Sequence, residues 1–334
     1  MEYIYVTGCD TGFGSILVNM LDEQGKYGVF AGCYMSETVE KLKNTASDRV
    51  VGIQLDVSKQ ESVDACARTI KDHLAERPNS TLRAVVNNAG LLIAPGPIEL
   101  VDTDVYHRLF NVNVMGTVMV TKSVLALIRD SQGRVINVAS IAGRIALPGQ
   151  AAYCISKYGV EAFSDALRTD LLQWGATVHI IEPGVFNKTG LYGSFQTGWD
   201  AVWEKQPDEI KRDYGQEFYE NYRRMLGKAL MDLGNTNSEL VPEAMMDAIC
   251  SDSPQHRYRV GFDSKYIVGP LASLPESIRD TVLTTNDGKA KAPRAAAAPR
   301  NGKKMAMARY KGSNLKWYLA VIIAVILYRR FRSA

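Results

Sequence analysis

Short apolar runs alternate with amphipathic stretches from the first residues to about residue 181. Residues 3–6, 28–33, 50–55, 84–87, 134–138 and 177–181 are rich in apolar or β-branched side chains. Each closes in a polar or glycine-containing turn, the pattern of strands. Between them, residues 15–24, 58–76, 105–128 and 152–174 repeat their apolar positions at helical spacing. Strict alternation of strand and helix predicts an α/β fold, a doubly wound parallel sheet covered on both faces. A folded domain of residues 1–283 is expected, with one late strand at residues 258–260.

Beyond residue 182 the alternation stops. Residues 186–231 are rich in aromatics (Phe195, Trp199, Trp203, Tyr214, Phe218, Tyr219, Tyr222) and read as helices and loops forming a lid. Residues 284–314 shift to Ala, Pro, Gly and Lys/Arg, too little apolar surface to fold, and are expected to be a basic flexible linker. An apolar segment, residues 315–328, precedes a basic tail, residues 329–334. Its uninterrupted core of twelve residues, 317–328, spans about 18 Å as a helix against about 30 Å of bilayer hydrocarbon. Leu315 and the snorkelling cations Lys316 and Arg329 extend it, and residues 320–327 offer no polar face for an interfacial helix. A C-terminal transmembrane anchor is expected, with the preceding domain on the cytosolic side of the endoplasmic reticulum or mitochondrial outer membrane.

Charge changes the picture only when it is divided. Of the net +3, residues 287–334 carry +11, leaving −8 on everything before them. An acidic body argues against nucleic-acid binding. The five cysteines (Cys9, Cys33, Cys66, Cys154, Cys250) are odd in number and scattered. They form neither a zinc pattern nor a disulfide framework. The four histidines show no metal spacing, and no metal is expected.

The first strand runs into Thr7-Gly8-Cys9-Asp10-Thr11-Gly12-Phe13-Gly14, and a helix follows. Glycines in such a turn let the backbone approach a pyrophosphate, with the amides and dipole of the new helix facing the anion. Asp56-Val57 follows the third strand and Asn87-Asn88-Ala89-Gly90 the fourth. All three motifs fall at the carboxyl ends of strands, where open α/β sheets bind ligands. For the chemistry, Tyr153 and Lys157 stand four apart, on one helix face. The ammonium can lower the phenol's pKa towards working pH and make it a usable base. Ser140, just after the fifth strand, is placed to hydrogen-bond a substrate oxygen, and Asn113 falls within the helix after the fourth strand.

Together these motifs resemble the short-chain dehydrogenase/reductase family, a Rossmann-like fold. The subgroup resembled contains retinol dehydrogenases, 17β- and 11β-hydroxysteroid dehydrogenases and 3-hydroxybutyrate dehydrogenase. The turn at residues 7–14, the segment Ile181-Glu182-Pro183-Gly184-Val185-Phe186 and the late Arg257-Tyr258-Arg259-Val260-Gly261 carry the likeness. The resemblance implies an NAD(P)-dependent alcohol dehydrogenase acting on a lipophilic steroid or retinoid. A carbonyl reductase driven by NADPH, a 3-hydroxybutyrate-type enzyme and a non-catalytic nucleotide sensor remain as alternatives. It makes Tyr153 the acid/base, has Lys157 also grip the nicotinamide ribose, and has Ser140 orient the substrate and Asn113 sustain a water relay.

The cofactor residues it implies are Gly8, Asp10, Gly12, Phe13, Gly14, Asp56, Val57, Asn88, Ala89, Gly90, Tyr153, Lys157, Pro183, Gly184 and Val185. It also implies a homo-oligomer. The second strand ends in Gly32-Cys33-Tyr34, with neither the acid that holds ribose hydroxyls nor a base for a 2′-phosphate. Asp10 would repel that phosphate, so NAD is expected over NADP.

Overall fold

Strands buried on both faces are mainly apolar, and these are: Ile4, Val6, Val29, Phe30, Val85, Val86, Val135 and Ile136 are all inaccessible to solvent. The computed structural model describes residues 1–93, 95–186 and 195–285. Seven parallel strands are β1 (Glu2–Thr7), β2 (Gly28–Cys33), β3 (Val50–Gln54), β4 (Thr81–Asn87), β5 (Arg134–Val138), β6 (Thr177–Pro183) and β7 (Arg257–Val260). They form one sheet in the order β3-β2-β1-β4-β5-β6-β7. The order reverses between β1 and β4, which opens a crevice at their carboxyl ends.

The first nine helices are α1 (Gly12–Gln24), α2 (Ser36–Thr45), α3 (Gln60–Ala75), α4 (Thr103–Leu109), α5 (Gly116–Asp130), α6 (Ala151–Leu171), α7 (Phe195–Glu204), α8 (Asp208–Tyr214) and α9 (Gln216–Leu233). Three more follow, α10 (Leu240–Cys250), α11 (Gly269–Ala272) and α12 (Glu276–Thr285). α1, α2 and α10 cover one face of the sheet through Leu17, Leu21, Val241 and Met245. α3, α5 and α6 cover the other through Ile70, Val124, Ile128 and Leu167. A separate aromatic layer, built by α7, α8 and α9, packs over the carboxyl edge.

The helix expected over residues 105–128 is not continuous. α4 ends at Leu109, a π-helical turn spans Phe110–Met115, and α5 continues from Gly116. The apolar spacing survives one inserted residue, which is why the sequence reads as a single helix. α2 and α10 add to the pattern: α2 buries no residue fully, so its stripe is weak, and α10 falls where the alternation was expected to end. α12 runs to Thr285, two residues into the segment expected to be linker.

Residues 103–130 are long and apolar enough to cross a membrane, yet they pack into the core beneath β4 and β5. The expected anchor at residues 315–328, and nearly all of the linker, lie outside the described residues.

Candidate active site

β1 delivers the glycine turn to the crevice. Gly8 and Gly12 adopt φ of +70° and +62°, a region that side-chain-bearing residues avoid. Gly14 is required for a different reason: a Cβ there would strike the Gly8 carbonyl oxygen and the Asn88 side chain. The first turn of α1 carries no acidic residue and no side-chain cap, so its amides face the crevice. A bare helix N-terminus above an open glycine cradle fits a pyrophosphate.

The Asn88-Ala89-Gly90 segment braces this turn. Asn88 Nδ2 donates to the carbonyls of Thr7 at 2.9 Å and Gly8 at 3.1 Å. Thr7 Oγ1 accepts from the amides of Asn88 and Ala89 at 3.1 and 3.0 Å. Thr7 therefore ties β1 to β4, a role its place in the motif does not announce.

Asp10 reaches across to the end of β2. Its two carboxylate oxygens accept from the amides of Tyr34 and Met35, both at 2.8 Å. The glycine turn thus places a carboxylate beside the end of the second strand, which carries no acid of its own. Asp56 instead folds back on its own turn, accepting from Ser58 Oγ at 2.6 Å with Lys59 at 3.4 Å. Burial raises its pKa, but the Ser58 hydrogen bonds and the Lys59 charge outweigh that and leave it lowered. Val57 packs against Gly116, where a Cβ would come within 2.8 Å.

At the end of β6, Pro183 and Gly184 lead into Val185. Its N–H donates to Asp263 at 2.7 Å, and its carbonyl accepts from the Asn235 backbone and side chain at 2.7 and 2.8 Å. Asn235 Nδ2 also donates to Asp263 at 3.0 Å. Neither Asp263 nor Asn235 carries a motif signal, because each acts on a backbone group some 50 to 80 residues away. Both of Val185's backbone groups are engaged within the chain. Phe186 packs edge-to-face on Phe13, ring centroids 5.5 Å apart, and so joins this segment to the glycine turn.

The four candidate catalytic residues converge beside that segment. Ser140 caps the short turn after β5, its Oγ accepting from Ala142 N–H at 3.2 Å. Burial pushes the Tyr153 phenol up to about 12, against a hydrogen bond from Ser140 that lowers it. Lys157 Nζ donates to the Val138 carbonyl at 2.9 Å and lies 5.8 Å from the centre of the Tyr153 ring. Burial brings the Lys157 pKa down to about 8, with Glu161 acting to raise it.

Asn113 sits in the π-helical turn and is fully engaged. Its Oδ1 accepts from Leu91 N–H at 2.7 Å, and its Nδ2 donates to the Leu91 carbonyl and to Ser156 Oγ. It thereby ties the loop after β4 to α6. A Cβ on Gly90 would lie 3.4 Å from Asn113 Oδ1 and 3.6 Å from Lys157 Nζ, so these three motifs meet at one point.

Against Tyr153 lies a cavity of about 10 Å³ bounded by Leu92, Pro95, Val101, Gly149 and Phe195. Leu92 and Ile93 also border a second cavity of about 430 Å³ between α4 and α7, with Val105, Ala201 and Val202 among its walls.

A parallel doubly wound sheet, a helix-capped glycine cradle and a serine–tyrosine–lysine cluster define a nicotinamide-dependent oxidoreductase. The family model described as short chain dehydrogenase matches residues 2–198, and the chain belongs to that family. It is 40% identical to 17-beta-hydroxysteroid dehydrogenase type 6 of Bos taurus over 85% of this chain and 88% of that one. Retinol dehydrogenase 7 of Rattus norvegicus is 37% identical over 84% and 87%. A solved short-chain dehydrogenase from Streptomyces avermitilis shares the fold, with a TM-score of 0.65 at 22% identity, covering 84% of this chain and 96% of that one. The chain is an oxidoreductase of CH–OH groups that uses NAD or NADP.

Proposed function

We propose that this chain interconverts a lipophilic secondary or allylic alcohol, a steroid or retinoid, and its carbonyl form at Tyr153. The single observation that carries this is the meeting of Ser140, Tyr153, Lys157 and Asn113 at the carboxyl ends of β4 and β5, with Tyr153 packed against the aromatic layer of α7–α9. An oxidised nicotinamide held by the glycine cradle and Lys157 would supply the hydride acceptor and a positive charge. The chain's own residues handle the proton. Ser140 and Tyr153 hydrogen-bond the substrate hydroxyl, and the Tyr153 oxygen takes its proton as the carbonyl forms. Lys157, held by Val138, stabilises the phenolate through its charge. Asn113 keeps α6 in register with the loop after β4.

NAD is the cofactor this reading favours. Asp10 stands at the end of β2, where a ribose 2′-phosphate would meet its charge. Gly8, Gly12, Phe13, Gly14, Asn88, Ala89 and Gly90 form the cradle. Asp56 and Val57 flank the adenine, and Pro183, Gly184 and Val185 shape the nicotinamide side. The names of the relatives support a steroid or retinoid substrate. The catalytic domain acts as a homo-oligomer on the cytosolic face of the endoplasmic reticulum or mitochondrial outer membrane, tethered by residues 315–328.

The test is nicotinamide reduction by the full chain with NAD or NADP and a panel of steroid, retinoid and short hydroxy-acid alcohols. Turnover of a steroid or retinoid that falls about 10²–10⁴-fold in Tyr153→Phe is the expected result. Turnover of hydroxybutyrate alone would overturn the lipophilic assignment, and cofactor binding without any turnover would overturn catalysis.

A further inference from the structure

Glu161 is a buried carboxylate that the chemistry above does not use. It stands one helical turn after Lys157 on α6, so the two side chains share a face of that helix. They are 5% and 6% exposed. Both rest on the turn that Ser140 caps. A Cβ on Gly143 would lie 2.9 Å from Glu161 Cγ and 2.9 Å from the Lys157 carbonyl oxygen.

Charge decides what the carboxylate does there. Its Oε2 accepts from Arg257 on β7, but among the described residues its Oε1 has no hydrogen-bond partner. Arg257 is shared, since it also donates to Glu182 on β6 at 2.9 Å and to Asp165 on α6 at 2.6 Å. Arg259 on β7 and Arg144 after β5 reach Glu182 at 3.4 and 3.8 Å, but their side chains are 40% and 39% exposed. Solvent and salt screen charges so placed. Tyr158 on α6 also feels the Glu161 charge. At the centre, Glu161 and the fully enclosed Glu182 share one guanidinium. Their excess negative charge faces the buried ammonium of Lys157, which is placed to balance it. Burial pushes the Glu161 carboxyl up to about 7, against the Arg257 hydrogen bond. It is therefore ionised over the range in which Lys157, brought down to about 8 by its own burial, gives up its proton.

We propose that Glu161 is a positioning residue for the reaction, its carboxylate keeping the Lys157 ammonium charged beside Tyr153. This rests on the reading of Lys157 given above and deepens it. Without the carboxylate, the buried ammonium has no counter-charge on its own helix face and sheds its proton at lower pH.

The experiment follows the Lys157 side chain directly, in the full chain in detergent, with lysine enriched in 13C at Cε. The Lys157 resonance is the one missing from Lys157→Arg. In Glu161→Gln, which keeps the shape and an acceptor for Arg257, its midpoint falls by at least about one pH unit. Glu161→Asp, which keeps the charge, restores most of that fall. The alkaline limb of kcat/KM, measured with NAD and an alcohol of the panel above, moves down in step with the resonance. A loss of packing alone would lower the rate at every pH and leave the limb in place. An unmoved resonance, or an equal fall in Glu161→Asp, would overturn the proposal. A shifted resonance with an unmoved limb would instead overturn the reading of Lys157, and with it any part for Glu161 in the reaction. Should Glu161→Gln not fold, the unaltered chain decides. Coupled groups titrate in two steps, so its Lys157 resonance carries a second, smaller step near pH 7 as Glu161 ionises. A single step would overturn the proposal.

Discussion

Asp10 shows how one side chain can do work assigned to another strand. Both its oxygens hold the amides that begin the turn after β2, so the carboxylate is fixed where the adenosine ribose of a dinucleotide is expected. Asp10→Asn removes the charge and keeps one acceptor. In the proposed role, the ratio of kcat/KM for NAD to that for NADP falls at least about tenfold in the variant. Steady-state kinetics with both cofactors checks this, and an unchanged ratio would reduce Asp10 to a brace for the turn. The glycine turn and the Tyr153/Lys157 pair were legible because their spacing is local. Asp263 and Asn235 were not, since their partners are brought to them only by folding.

Among elements, the edge formed by β6 and β7 carries a pH sensor of stability. His179 is 1% exposed, with Nδ1 donating to the Gln255 carbonyl at 2.7 Å and Nε2 accepting from Thr177 Oγ1 at 2.8 Å. That arrangement uses the neutral ring. Burial, helped by the charges of Arg134 and His256, brings its pKa down to about 4, against the Gln255 carbonyl, which raises it. Above about pH 6.5 both folded and unfolded chains hold it neutral, so its contribution is complete there. As pH falls from 6.5 towards 4, the unfolded chain gains a proton that the folded chain refuses, and stability is lost. By pH 5 the loss from this residue is about 2 kcal/mol. Urea unfolding at pH 7.5 and 5.0 is the check: His179→Asn keeps the donor to Gln255 and loses less stability on acidification than the parent. Equal acid sensitivity would refute the assignment.

Arg257 reinforces the same edge, linking β7 to Glu182 at 2.9 Å and Asp165 at 2.6 Å, and to Glu161. These charges hold α6, and with it Tyr153, against the sheet. Of the elements themselves, six strands and four of their five crossovers were readable from apolar periodicity, but α2, which buries no residue fully, was not. The π-helical turn at Asn113 was not, because one inserted residue hardly alters that periodicity.

On the scale of the whole molecule, an acidic body is joined to a strongly basic end. In the proposed arrangement residues 315–328 hold the chain to a membrane while catalysis resides in residues 1–283. A chain ending at residue 314 should stay in the supernatant when mixed with vesicles, whereas the full chain sediments and resists alkaline extraction. Its kcat on a water-soluble alcohol should be unchanged. Release of the full chain by salt alone would mean the attachment is electrostatic.

By itself the sequence determined the alternation of strand and helix, the glycine turn and the spacing of Tyr153 and Lys157, because each is written in residues a few positions apart. It also determined the asymmetry of charge, which needs only counting. Tertiary structure alone decided the sheet order and the switch point between β1 and β4, since pairing joins strands far apart in the chain. It decided that Asp10 serves the end of β2 and that Asp263 and Asn235 hold Val185. Spacing along the chain encodes what a helix or turn brings together, but contacts between elements follow from how those elements pack.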